Sequence, residues 1–221
     1  MFPAFTGILS ETTIPTKATY RDFQFVNSGS TTTTFPAMSI GPASASRYVL
    51  VVVTGVRDRS TNFTGVTIGG ISATLLYQNK STSTQEVMAF FIALVPTGTT
   101  ADVVVTDSTP AGTTCSTYSI TGLRSTTPIS TGFQQTASSN ALTVSGISVP
   151  AQACVIAAVA TGGGGQPFSW TGVNLDYTNQ YLSNWATSGA SKNYSSSGTI
   201  NVTAQGSSAE AFPIMQVIVL R

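Results

Sequence analysis

Arg47-Tyr-Val-Leu-Val-Val-Val-Thr-Gly55 decides the fold. Val49 to Val53 are apolar without a break and mostly β-branched, and the run is too short for an independent helix. It reads as a strand with both faces covered. Outward from it, Val66-Thr-Ile68 and Ile71-Ser-Ala-Thr-Leu-Leu-Tyr77 flank Gly69-Gly70, a hairpin signal because the tight turn needs positive φ at both central positions. Glu86 to Val95 is another apolar run, stopped by Pro96-Thr-Gly98, and Ala101-Asp-Val-Val-Val-Thr106 follows. Short strands closed in turn by Gly or Pro predict an all-β chain: an antiparallel β-sandwich, jelly-roll-like, of about a dozen strands.

The rest of the chain extends the same pattern. Tyr20 to Val26 places Phe23 and Phe25 on one face. Thr31 to Met38 is β-prone, and Pro36 assigns it to a sheet edge. Further strands are expected at Thr113–Thr121, Ile129–Gln135, Ala141–Gly146, Ala153–Ala160, Gly198–Ala204 and Ile214–Leu220. Ala153–Ala160 is the counterpart of Val49–Val53, and the two halves are loosely similar without an exact repeat. No segment has the periodicity of a three-turn helix. The expected organisation is an extended N-terminal arm over residues 1–18 and one sandwich domain over residues 19–221. Phe2 and Phe5 would be costly to leave in water, so the arm either docks on a neighbouring subunit or lies over its own core.

Charge is sparse. Only 8% of the 221 residues are Asp, Glu, Lys or Arg, against roughly 25% in ordinary domains. The net charge of +1 leaves no electrostatic footprint for nucleic acid. Polar surface must come instead from 36 threonines and 28 serines. Such a surface does little to keep monomers apart and suits a chain packed against neighbours, although secreted β proteins are also rich in Ser and Thr. The longest apolar runs, Val87–Val95 and Ala153–Ala160, are far short of a membrane span, and Met1 to Leu9 lacks the basic start of a secretory signal. A soluble protein without membrane or nucleic-acid partners is expected.

The candidate chemistry is thin. With no histidine, the Ser–His and Cys–His nucleophilic arrangements are excluded, and so are the usual transition-metal sites. Gly162–Gly165 lacks the Lys-Ser/Thr and the helix of a phosphate loop. The carboxylates are scattered, without the clustered oxygen ligands a Ca²⁺ loop needs. No cofactor, metal or catalytic residue is assigned, and the chain is not expected to be an enzyme. Cys154 sits in an apolar run, while Cys115 lies on the strand face opposite Tyr118 and Ile120, so no bridge between them is expected. The sequons at Asn62, Asn79, Asn193 and Asn201 read as chance matches in so hydroxyl-rich a chain. Trp170, Tyr177, Tyr181 and Trp185 are the sharpest binding candidate. They could stack on sugar rings or anchor a protein interface, or else fill the end of the core.

Arg47-Tyr-Val-Leu-Val-Val-Val, Val66-Thr-Ile-Gly-Gly-Ile-Ser-Ala-Thr and Val95-Pro-Thr-Gly-Thr-Thr-Ala-Asp-Val-Val-Val-Thr106 together resemble a pattern of tailed-bacteriophage virion proteins. The resemblance covers about sixty residues and carries no functional residue with it. It implies a structural protein of the virion, assembled in the host cytoplasm: a capsid decoration or cement protein, or a head or tail fibre component. The partners implied are other capsid or tail proteins and further copies of the chain. The alternative is a carbohydrate-binding module or adhesin that uses the aromatic group on a cell-surface glycan.

Overall fold

The computed structural model describes residues 14–56, 62–81, 86–107, 112–162, 167–181 and 185–221, without the side chains of Val56, Glu210 and Phe212. Among them lie sixteen strands and no helix. The first nine are β1 (Lys17–Asn27), β2 (Thr32–Ser39), β3 (Tyr48–Val56), β4 (Phe63–Ile68), β5 (Ile71–Ser72), β6 (Thr74–Lys80), β7 (Glu86–Leu94), β8 (Thr100–Asp107) and β9 (Gly112–Thr121). They form a five-stranded sheet in the order β1-β9-β3-β7-β6 and a four-stranded sheet in the order β2-β8-β4-β5. Every pairing is antiparallel, the first strand lies beside the last, and the chain passes back and forth between the sheets. With β6 set aside as an added edge, this is the eight-stranded jelly roll.

The remaining strands are β10 (Ser130–Gln135), β11 (Ser138–Val149), β12 (Ala153–Gly162), β13 (Ser169–Thr171), β14 (Asn174–Tyr181), β15 (Trp185–Tyr194) and β16 (Gly198–Leu220). They run β10-β16-β12-β15-β14, with β11 and β13 paired to the earlier part of β16. The order matches the first unit except that β5 has no counterpart, and β16 does the work of both β8 and β9. The registers match as well. Gly162 faces Trp185 as Val56 faces Glu86, and Cys154 faces Leu220 as Tyr48 faces Ile120. Both edge strands slip register at the same place, between Leu75 and Tyr77 in β6 and between Leu175 and Tyr177 in β14. The single sandwich expected from the sequence is therefore two jelly-roll-like units of one design.

Three cores follow from this arrangement. In β3, Val49, Val51 and Val53 point into the first unit, while Leu50 and Val52 point the other way. In β12, Val155, Ala157 and Val159 point into the second unit, while Ile156, Ala158 and Ala160 turn outward. The outward sets meet in a shared core with Phe90, Ile92, Tyr118, Ile120 and Ile218. This stacking explains the unbroken apolar runs. Antiparallel strands usually keep one face wet, but here each central sheet is covered on both. Each aliphatic or aromatic side chain fully buried in this seam contributes about 1.5–3 kcal/mol. Polar staples cross it too. The Asn193 amide brackets Ala18, accepting from its N–H at 2.8 Å and donating to its carbonyl at 3.1 Å, and Gln216 donates to the Met88 carbonyl at 2.8 Å.

Several local expectations find their physical reasons. Gly69 and Gly70 carry φ of 58° and 79° and close the hairpin of β4 and β5. The strand expected over residues 71–77 is split at Ala73, because Ile71 and Ser72 stay with β4 while β6 joins β7 in the other sheet. Pro36 lies on edge strand β2, in the register break between Phe35 and Met38, where Ala37 takes a φ of 49°. The two closing strands are one strand of 23 residues, because β16 passes from the pairing with β11 to the pairing with β10 and β12. Cys115 and Cys154 are free and buried in different cores. Of the arm, residues 1–13 lie outside the described residues, and Lys17 and Ala18 already belong to β1.

Candidate functional site

The aromatic group does not form one open face. Trp170 is half-buried on β13 against the second unit's own core, and its Nε1–H donates to Ser188 Oγ at 2.9 Å. Ser188 in turn donates to the Tyr177 carbonyl at 2.7 Å. Tyr177 and Tyr181 project to the other side, into the seam. The Tyr177 ring lies 5.2 Å from Tyr20 and 5.1 Å from Phe23, and its hydroxyl is 3.1 Å from Ser116 Oγ. Tyr181 stacks on Phe25 at 4.7 Å. Both tyrosines are buried, at 8% and 7% exposure, so their ring faces are spent within the molecule. Trp185 is half-buried over Gly162, where an added Cβ would lie 3.0 Å from the indole. Phe2 and Phe5 lie outside the described residues.

The bulge in β14 places Asp176 and Tyr177 side by side on the seam. Asp176 interacts with Ser191 and with the Tyr118 hydroxyl, yet its Oδ2 and the Tyr118 Oη complete no well-formed hydrogen bond. Burial raises the Asp176 carboxyl above its ordinary range, against the pull of those two hydroxyls. Tyr20, above the same mouth, is pushed up to about 12, first by burial and then by Asp22 and Asp176. This mouth is a packed phenol–carboxyl cluster.

Two further polar residues escaped the sequence reading. Arg47 is buried, and all five of its N–H groups reach backbone carbonyls. Nε and Nη2 donate to Val95 at 2.9 and 2.6 Å, Nη1 to Gly41 at 2.5 Å and Gly98 at 3.0 Å, and Nη2 also to Thr97 at 2.7 Å. Its guanidinium thus holds the Val95-Pro-Thr-Gly98 turn against the entry to β3. The signal was present as an arginine at the mouth of an apolar strand, without a nearby acid. Glu86 opens β7 on the side that carries Met88, Phe90 and Ile92 into the seam. It is fully buried, and neither carboxyl oxygen completes a well-formed hydrogen bond among the described residues. Burial pushes it up to about 8, partly opposed by the Ser81 hydroxyl, so it is mostly protonated at neutral pH.

Two sequon asparagines have hydrogen-bonded side chains, Asn193 with Ala18 and Asn201 accepting from the Gly146 N–H, and Asn79 has a buried Nδ2 without a partner among the described residues. Among the described residues no group of three or more Cys, Asp or Glu is placed to hold a metal ion. No helix among them is long and apolar enough to cross a membrane.

No family model matches the chain, and no curated protein matches it. Among solved structures, an anti-sigma factor domain-containing protein is similar at 9% identity, over 84% of this chain and 78% of that one. The TM-score is 0.25, a likeness that carries no argument.

Proposed function

We propose that the chain is a non-enzymatic structural protein of a tailed-bacteriophage particle, a decoration-type protein that packs on the particle surface and stabilises it. The observation that carries this reading is the character of the outer faces. On β2 the outward positions are Thr32, Thr34, Pro36 and Ala37, and on β11 they are Ser138, Asn140, Thr143, Ser145 and Ser148. Thr199, Asn201 and Gln205 continue the surface on β16. These are hydroxyl- and amide-bearing sheet faces with almost no charge. Covering a neutral hydroxyl costs far less than covering an ion, so such faces can be packed against neighbours. Many identical weak contacts on a lattice sum to firm attachment. Jelly rolls serve capsids, lectins and cupins alike, so the fold alone chooses nothing. The glycan-binding alternative needs open ring faces, and those of Tyr177 and Tyr181 are covered.

The test is direct. Particles of the virus that carries this gene are purified on a density gradient, and their protein content is measured by quantitative mass spectrometry. The expected result is a stoichiometric copy number per particle, with loss of particle stability to heat or low salt when the gene is deleted. Absence from purified particles, together with a protein that stays monomeric at high concentration, would refute the proposal.

A further inference from the structure

The two seam faces are built alike and differ at a few matched positions. The registers give the correspondence. Tyr77 faces Phe90 as Tyr177 faces Gly189, so Phe90 and Gly189 are equivalent. Leu76 and Asp176 are the bulge residues next to those tyrosines. Leu50 lies between Ile92 and Tyr118 as Ile156 lies between Ser191 and Ile218. Tyr118 is thus equivalent to Ile218, and Ile92 to Ser191.

The units stack so that β14 covers β1 and β9, shown by Tyr177 on Tyr20 and on Ser116. Conversely, β6 lies over β16, where Gln216 reaches the Asn79 carbonyl at 3.4 Å. These two contacts correspond when the units are exchanged, Ser116 with Gln216, so the seam is quasi-twofold at this pair of contacts. The matched residues nevertheless differ in opposite senses. At one mouth the second unit offers Gly189 and Asp176, and the first offers Tyr118. At the other mouth the first unit offers Phe90 and Leu76, and the second offers Ile218. Bulk lost at Gly189 is regained at Tyr118, and the acid at Asp176 meets a phenol instead of an aliphatic chain. The fit is close: a Cβ on Gly189 would lie 2.8 Å from Tyr118 Oη and 2.2 Å from Tyr177 Cε1.

We infer that these matched differences make each seam face an interaction surface specific for the other unit's face and closed to its own kind. A seam between two first-unit faces would drive Phe90 into the space that Gly189 leaves beside Tyr118. A seam between two second-unit faces would leave a void between Gly189 and Ile218 and would bury Asp176 against an isoleucine. Overpacking, cavities and the loss of a buried acid's hydroxyl partner all oppose association. Specificity here comes from penalties on the wrong pairings as well as from contacts in the right one. Copies of the chain crowded together would then keep their seams N-unit to C-unit. The inference stands apart from the proposed function, since it concerns the chain's own two faces.

Three full-length variants test it. The first carries Asp176→Leu, Gly189→Phe and Ile218→Tyr, giving both faces first-unit character. The second carries Leu76→Asp, Phe90→Gly and Tyr118→Ile, giving both faces second-unit character. The third carries all six changes and so restores complementarity with the roles exchanged. Stability is measured by denaturant unfolding and association by native mass spectrometry. Each half-exchanged variant alone is expected to lose the cooperative wild-type transition, and the six-fold variant to regain most of it. When the two half-exchanged chains are refolded together, 1:1 heterodimers should exceed homodimers by roughly tenfold or more. The idea is overturned if either half-exchanged chain is as stable as wild type. It is equally overturned if the six-fold variant is no better than the halves, or if the mixed chains show no preference for heterodimers.

Discussion

Replacing Glu86 by glutamine should change how stability depends on pH. The carboxyl is fully buried at the seam, and burial pushes it from an ordinary value of 4.5 to about 8. The folded state therefore holds a proton that the unfolded state releases. For an acid raised in this way, the stabilising contribution is complete below pH 4.5 and declines as pH rises, levelling off above about 8. Each pH unit inside that window costs about 1.36 kcal/mol, so by pH 7 wild type should have given up about 3 kcal/mol relative to pH 4.5. Glutamine has nearly the same shape and no proton to lose. The stability difference between Glu86→Gln and wild type should thus shift in favour of the variant by about 3 kcal/mol between pH 4.5 and 7. Urea unfolding followed by tryptophan fluorescence at half-unit pH steps measures this. A difference that stays constant within about 0.5 kcal/mol over that range, well under half the per-unit slope, would show that Glu86 is ionised in the folded protein.

Three other outcomes follow from the structure. Arg47→Met should destabilise the fold by about 3–5 kcal/mol, because it strips donors from the Gly41, Val95, Thr97 and Gly98 carbonyls, and Arg47→Lys should recover only part of that loss in the same unfolding assay. Gly189→Ala should cost roughly 1–3 kcal/mol through overpacking against Tyr177 and Tyr118, whereas alanine at Gly198, which has nothing within 4 Å, should be close to neutral. Neither thiol should react with a disulfide reagent in the native state, since burial pushes Cys154 up to about 12 and Cys115 higher still. Both should react on unfolding, and rapid labelling of the native protein would contradict the packing described.

The fold class was legible because it rests on short-range chemistry. Val49 to Val53 could only be a strand covered on both faces, and Gly69-Gly70 could only be a tight turn. The covering layer was not legible, because an unbroken apolar strand states that both sides are buried without stating by what. The split at Ala73 was hidden for a related reason: Ile71 to Tyr77 has one continuous β propensity, and only the competition between β4 and β7 for its two ends divides it. The aromatic candidate was read from spacing alone, which brings Trp170, Tyr177, Tyr181 and Trp185 close in sequence. Strand alternation and the bulge at Asp176 then send Trp170 to one core and the tyrosines to another.

The duplication was legible only as a loose similarity of the two halves, and the reason is physical. Leu75, Tyr77 and Asn79 recur as Leu175, Tyr177 and Asn179, but several residues that pack the two units together differ between them. A face that must meet its own twin across a quasi-twofold axis gains nothing from identity. Two large rings cannot share one space, and two carboxyls cannot share one buried mouth, so fit is improved by making the halves unlike. Several matched seam positions are accordingly unlike, Phe90 and Gly189, Tyr118 and Ile218, Leu76 and Asp176, while Tyr77 and Tyr177 agree. A comparison of the halves by residue identity looks past those positions. A comparison by register, strand against strand, finds them at once, because hydrogen-bond partners are fixed by the backbone and survive any exchange of side chains.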